Sequence, residues 1–385
     1  MRIALIEVKS KGELFPIQFL KIGAMLRKKK HKVTLFKNKP PKEPKRYDEI
    51  WLSVIFTYDY ELTHKIVSAI RAMTKGKKVK LKLGGTAPSI FPEQFKHLGI
   101  PIHTGLIPEA EKCTPDYSLL EEDYDYSIGW TSRGCVRKCK FCAVPVVEPK
   151  FYHVDWFKNI NKTKKKILFY DNNWLAKSKK VLKKDVEQMV QLQEEFGITE
   201  IDFNQALDAR LMTEEIADII APVKLSPVRF AFDGMWEDGL WQNAIKMMID
   251  RGFRTYNSLV LYNFKDTPED LYYRIREHAR MTKLMGGSDL VKAFPMRYQP
   301  LKMIKRDFLG ENWTRKERSA FLRIVSIHGS SGTVSCRNLN EFEYWFGKND
   351  KEFKALLNYP RLNELLLKRK GYLMANRAKV IEAKR

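Results

Sequence analysis

Cys135, Cys139 and Cys142 stand in the spacing Cys-x-x-x-Cys-x-x-Cys, with Phe141 directly before the last of them. Three thiolates at this spacing can hold three irons of a 4Fe–4S cube. Such cubes usually take four cysteines, so a set of three leaves one iron open to another ligand. An open metal position is where chemistry takes place, by the logic that separates catalytic from structural zinc sites. A zinc knuckle or inert core thiols are the other readings. Zinc needs a fourth ligand, and the nearest histidine, His153, lies more than ten residues past the last cysteine.

The cysteines follow the apolar run 126–130, and that placement, with the aromatic Phe141, resembles the signature of the radical S-adenosylmethionine (SAM) superfamily. The resemblance implies that the open iron is chelated by the amino and carboxylate groups of SAM. It also implies that an electron from the cluster cleaves the sulfonium to a 5′-deoxyadenosyl radical. A reducing partner such as flavodoxin or ferredoxin is implied with it.

The elements that must position this loop read as a chain of βα units. Over 1–112, strands are expected at Arg2–Val8, His31–Phe36, Glu49–Phe56 and Val79–Leu83, with helices at Ile17–Lys29 and Leu62–Met73. Strands alternating with helices predict a doubly wound, Rossmann-like parallel sheet. The strand ending in Gly84-Gly85, followed by Thr86-Ala87-Pro88, resembles the cobalamin-binding-like domain carried by many radical SAM proteins. No Asp-x-His-x-x-Gly follows the first strand, so a sheet that binds no cobalamin stays open beside one that does.

Residues 113–125 are acidic, carry Pro115 and read as a linker. Over 126–305, strands are expected at 126–130, 167–170, 199–203, 228–232, 255–262 and 290–294. Helices are expected between them at Lys183–Phe196, Thr213–Ile220, Leu240–Asp250 and Pro268–Met285. Six such units suit a partial (β/α)6 barrel, whose chemistry lies at the C-terminal ends of its strands. From 306 to 385 the pattern turns to helices with exposed basic residues: Arg315–Ile327, Asn340–Phe346 and Lys351–Lys368. The fold class expected is therefore α/β: a Rossmann-like domain, a partial barrel and a basic helical C-terminal extension whose last fifteen residues are mobile.

Polar residues recur at the strand ends. Asp171, Asn172 and Asn173 follow the second barrel strand, where the superfamily places acceptors for the SAM ammonium; an –NH3 group wants carboxylate or carbonyl oxygens. Asp and Asn there would also cap a helix. Asn204, Asp208 and Arg210 follow the third strand and could reach ribose hydroxyls, the SAM carboxylate or substrate, an Arg fork suiting a carboxylate. An internal Asp208–Arg210 pair is the alternative. Asp233 ends the fourth strand. Asn263 ends the fifth, in a region that lines the adenine in the superfamily. Arg297 ends the sixth, beside a SAM carboxylate or an anionic substrate. Phe141 is expected to pack over the cluster.

The formal charge of +24 attracts polyanions, nucleic acid being the common case, though the lysines are scattered through the whole chain. No apolar stretch approaches the roughly 18 residues of a membrane span, and the first residues open into a strand rather than a signal peptide. A cytoplasmic protein is expected. Only Cys113 and Cys336 remain beyond the cluster. That suits a reducing compartment and leaves too few thiols for the methylthiotransferase branch. Cobalamin-dependent methyl transfer and cobalamin-free hydrogen abstraction both remain, as does a basic metal-binding module that clamps nucleic acid without turnover.

Overall fold

The computed structural model describes residues 1–10, 15–286, 291–329 and 332–371. Most of the basic tail expected to be mobile, and residue 290 at the start of an expected strand, lie outside the described residues. The chain divides into two compact units. The first comprises Met1–Ala176, Gln191–Thr199 and Pro300–Asp307. The second comprises Lys177–Val190, Glu200–Gln299 and the described residues from Phe308 on.

In the first unit, β1 (Arg2–Val8), β2 (Lys32–Lys37), β3 (Glu49–Val54) and β4 (Lys80–Gly84) form a parallel sheet in the order β2-β1-β3-β4. Successive strand side chains point to opposite faces, and β1 shows the consequence. Ile3 and Leu5 enter a core with Ile17, Leu20 and Leu26 of α1 (Ile17–Lys28). Ala4, Ile6 and Val8 enter another with Ile66, Val67 and Ile70 of α2 (Tyr60–Met73). The sheet is covered on both faces, and each Leu or Ile buried there contributes roughly 1.5–3 kcal/mol. After β4, Gly85 turns at φ +106°, where a Cβ would lie 2.5 Å from the Val54 carbonyl oxygen. Only glycine lets those two strand ends approach so closely. The acidic stretch read as a linker is packed rather than loose. Cys113 and Leu119 are buried in the α1 core, and the Tyr117 hydroxyl accepts the Ile128 N–H at 3.0 Å.

The barrel-type units begin at β5 (Tyr126–Gly129). A two-stranded antiparallel ribbon follows, β6 (Ser132–Arg133) with β7 (Tyr152–His153), and then β8 (Lys166–Phe169), which pairs parallel with β5. After α3 (Lys179–Glu195), the second unit continues with β9 (Glu200–Phe203), α4 (Glu214–Ile220), α5 (Leu240–Asp250), β10 (Tyr256–Tyr262), α6 (Pro268–Leu284) and β11 (Val291–Arg297). β10 and β11 pair in parallel over their full length. The stretch expected as a strand at 228–232 makes single parallel bridges instead. Val228 pairs with Tyr256, Phe230 with Leu207 and Ala231 with Leu259. The fold class is thus α/β, with a doubly wound Rossmann-like sheet, the βα units of a partial barrel and a helical C-terminal part.

Helix starts follow the side chains available. Thr267 and Asp270 form a capping box at α6, with Pro268 at its first turn. Thr314 and Glu317 do the same at α7 (Arg315–His328), and Asn338 and Asn349 cap α8 (Leu339–Phe346) and α9 (Asp350–Leu357). The single helix expected over Lys351–Lys368 is two, interrupted around Pro360. A proline disfavours helical geometry in the residue before it. These helices are no loose appendage. Tyr272 of α6 packs on Phe342 and Phe353, with ring centroids 5.4 and 5.3 Å away, and donates its hydroxyl to the Gly347 carbonyl at 2.9 Å. Among the described residues no helix is long and apolar enough to cross a membrane.

Candidate functional site

The cysteines ride on the excursion between β6 and β7, so the loop is closed at its base by the pairs Ser132–His153 and Arg133–Tyr152. Gly134 opens it at φ +73°, and a Cβ there would lie 2.1 Å from the Lys150 carbonyl oxygen. The backbone entering and leaving the loop is therefore in contact, and glycine is required immediately before the first cysteine. Cys135, Cys139 and Cys142 are partly exposed. The Arg137 N–H donates to Cys135 Sγ at 3.3 Å, the Val144 N–H to Cys142 Sγ at 3.5 Å, and Asn173 Nδ2 to Cys135 Sγ at 3.7 Å. Such donors stabilise anionic sulfur and tune iron–sulfur clusters, so the donor set fits the cube. Among the described residues no three His, Cys, Asp or Glu side chains are grouped to hold a single ion. Cysteines that each serve a different iron have no need to converge on one point. Phe141 sits in the loop, partly buried.

Two carboxylates brace this loop. Asp171, just past β8, is buried; it accepts the Thr131 N–H at 2.8 Å and the Thr131 and Ser132 hydroxyls at 2.6 Å each. It ties β8 to the strand that leads into the loop. Glu148, near the loop's end, accepts the Gly134 N–H at 2.8 Å and Asn172 Nδ2 at 3.0 Å on the same oxygen, Oε2. Its other oxygen faces Arg133 Nη2 at 3.4 Å. The buried Arg133 lies 4.2 Å over the Trp130 ring and 3.3 Å from Glu111, which also pairs with Lys21 at 3.0 Å. Burial lowers the Lys21 pKa, against the pull of Glu111.

The remaining expected residues belong to the second unit. Asn204 is half-buried at the end of β9, behind Asp202, whose two oxygens take the Arg229 fork at 2.7 and 2.8 Å. Asp208 and Arg210 form the internal pair, at 2.6 Å. Arg210 also lies 3.6 Å from Glu237, and Glu237 Oε2 accepts the Asp233 N–H at 2.6 Å. Burial pushes the Asp233 carboxyl up to about 6, against Arg274 and Arg210. Burial, with the neighbouring Asp233, pushes Glu237 up to about 7. Arg274 is fully buried and donates to the carbonyls of Phe232 and Leu261 at 2.9 and 2.7 Å and to Asp266 at 2.9 Å.

Asn263 differs from its expected role beside the adenine. It is fully buried, with φ +63°. Its Nδ2 donates to the carbonyls of Tyr298 and Phe308 at 3.3 and 3.2 Å, and its Oδ1 accepts the Gly310 N–H at 2.9 Å. Its amide latches the end of β10 to the returning chain. Arg297 is half-buried at the end of β11, in register with Tyr262.

Sequence reasoning singled out the thiols and the polar strand ends. It passed over Glu148, Glu111, Glu237 and Arg274, which pair with residues around them. Gly134 had a usable signal, a glycine directly before the first cysteine. Arg274 had none, because on a helix it reads as one more solvated charge.

No family model and no curated protein matches the chain. Among solved structures it resembles the radical S-adenosylmethionine methyltransferase TsrM from Kitasatospora setae, solved with cobalamin and a 4Fe–4S cluster bound. The TM-score is 0.57 at 11% identity, over 78% of this chain and 77% of that one. A second TsrM structure, with tryptophan substrate and a SAM analog (aza-SAM) bound, gives TM-score 0.57 and 11% identity over 85% of this chain and 76% of the other. At that identity the likeness is one of fold.

Proposed function

We propose that this chain is a radical SAM enzyme in which Cys135, Cys139 and Cys142 hold a 4Fe–4S cluster with one iron open to SAM. One observation carries the reading: three partly exposed thiols on a loop closed at its base, with N–H groups aimed at the sulfurs of Cys135 and Cys142, in a chain that shares the TsrM fold. When bound, the cluster supplies the electron for reductive cleavage of SAM. The chain's own residues hold the geometry. Gly134 and Glu148 fix the loop's entry, Asp171 fixes the strand end, and Asn172 and Asn173 offer polar groups beside the first cysteine. Asn204, Asp208, Arg210, Asp233 and Arg297 are proposed to face SAM or substrate, and Phe141 to cover the cluster. Asp233 and Glu237, which burial pushes up to about 6 and about 7, are proposed to exchange a proton there. An anionic substrate is supported by the formal charge of +24, and the electron donor is proposed to be a small reducing protein such as flavodoxin or ferredoxin. The segments 1–112, 113–125, 126–305 and 306–385 remain the proposed domain division. Replacing Cys139 by Ala should abolish both iron uptake and formation of 5′-deoxyadenosine from SAM under reductant. Persistent cleavage in that variant refutes the assignment.

A cobalamin-dependent methyltransferase is the second reading. The match to TsrM covers 78% of the chain, more than the barrel segment alone would fill. At the carboxyl edge of the Rossmann-like sheet, where such folds bind ligands, Glu7 Oε1 and Ser53 Oγ are buried without a hydrogen-bond partner. Burial pushes Glu7 up to about 7, against Lys9 and Lys37. Retention of one cobalamin per chain through gel filtration would support this reading, and no uptake by cluster-loaded protein would exclude it.

A further inference from the structure

Glu148 has no counterpart among the expected site residues, yet it joins the loop that carries the thiols to the polar segment after β8. A carboxylate only accepts hydrogen bonds. The atom of Asn172 turned toward it is therefore the amide nitrogen, and Nδ2 donates to Glu148 Oε2 at 3.0 Å. The planar amide then turns its carbonyl oxygen, Oδ1, away from Glu148. The same carboxylate oxygen receives the Gly134 N–H at 2.8 Å, so the amide's orientation is referenced to the backbone one residue before Cys135. The neighbouring Asn173 reaches Cys135 Sγ at 3.7 Å, which sets this segment beside the first thiol.

We propose that Glu148 is a positioning residue that fixes the amide of Asn172 so that it presents an acceptor, selecting a ligand with an ammonium group at this place. The inference rests on the radical SAM reading and deepens it: the ammonium is the α-amino group of SAM. Without the carboxylate, the Asn172 amide is free to turn its NH2 group outward, where it repels a cation.

The test compares binding of SAM with that of a SAM analogue lacking the α-amino group, by equilibrium dialysis against anaerobically reconstituted protein, with iron and sulfide measured on the same samples. Wild type should prefer SAM. Glu148→Ala should lose about fivefold of that preference, chiefly through weaker SAM binding, since an oriented acceptor is lost rather than a shape. Glu148→Gln should keep most of it, because the Gln Oε1 can accept from both Gly134 and Asn172. Asn172→Ala should lose about tenfold and add nothing when combined with Glu148→Ala. It leaves the Glu148–Gly134 bond in place, so it also reports if Glu148→Ala loads poorly. An unchanged preference in a cluster-loaded Glu148→Ala, or in Asn172→Ala, overturns the role of Glu148. A wild type that takes up no iron and sulfide overturns the radical SAM reading beneath it.

Discussion

The cysteine loop and the strand-end cluster around Asp233 both set carboxylates beside arginines, and they use them for opposite ends. At the loop, Asp171 and Glu148 receive backbone N–H groups, hydroxyls and an amide. Carboxyl oxygens that each accept from several donors make a rigid brace. Around Asp233, two acids face each other in a buried place, and burial pushes them to about 6 and about 7 although Arg210 and Arg274 oppose the shift. An arginine nearby does not by itself keep a carboxyl ionised; desolvation can outweigh it. One region holds shape, and in the other burial raises two carboxyls toward neutrality.

The largest effect that would break this comparison is expected at Arg274. Replacing it by Met leaves two carbonyls and Asp266 without their buried donor, at a cost of about 3–5 kcal/mol. A denaturation midpoint near that of wild type would mean the second cluster does not depend on its central cation. Next comes Gly134→Ala. The collision with the Lys150 carbonyl and the positive φ should cost on the order of 2–3 kcal/mol in and around the loop and prevent cluster loading. Iron content after reconstitution, set beside an unchanged far-ultraviolet circular dichroism spectrum, reads this out. Full loading would show that the base of the loop does not set the thiols.

A smaller effect sharpens the contrast. Glu237 has a raised pKa in the folded protein, from 4.5 to about 7, so the native state binds the proton more tightly than the unfolded chain. Its stabilising contribution is full below about pH 4.5 and is lost as pH rises through about 7. Glu237→Gln removes that slope. The stability difference between wild type and variant should therefore move against wild type by on the order of 2 kcal/mol between those limits, seen as diverging thermal midpoints. Parallel pH profiles would mean that burial does not raise the Glu237 carboxyl.

The fold was largely legible because apolar runs report burial directly. The buried Ile3–Val8 run of β1 and the periodic Ile66, Val67 and Ile70 of α2 lie where their patterns put them. The break in the last helix was not read, although Pro360 marks it. The stretch at 228–232 reads as a strand from the strand–helix rhythm around it, but its residues only make single bridges to their neighbours. The candidate site was marked in the sequence by the spacing of its thiols, and less clearly by its polar strand ends. Asn263 shows why. An amide at a strand end reads the same whether it faces a ligand or latches the main chain, and only the return of residues 308–310 decides. Glu148 was invisible for the converse reason: its partners, Gly134 and Asn172, lie 14 and 24 residues away along the chain.

Metal and sulfide analysis of the anaerobically reconstituted wild-type protein, with SAM cleavage assayed on the same sample, bears most directly on the three-thiol loop. About four irons and four sulfides per chain, together with 5′-deoxyadenosine formed under reductant, is the predicted result. One zinc per chain, no iron and intact SAM would contradict it.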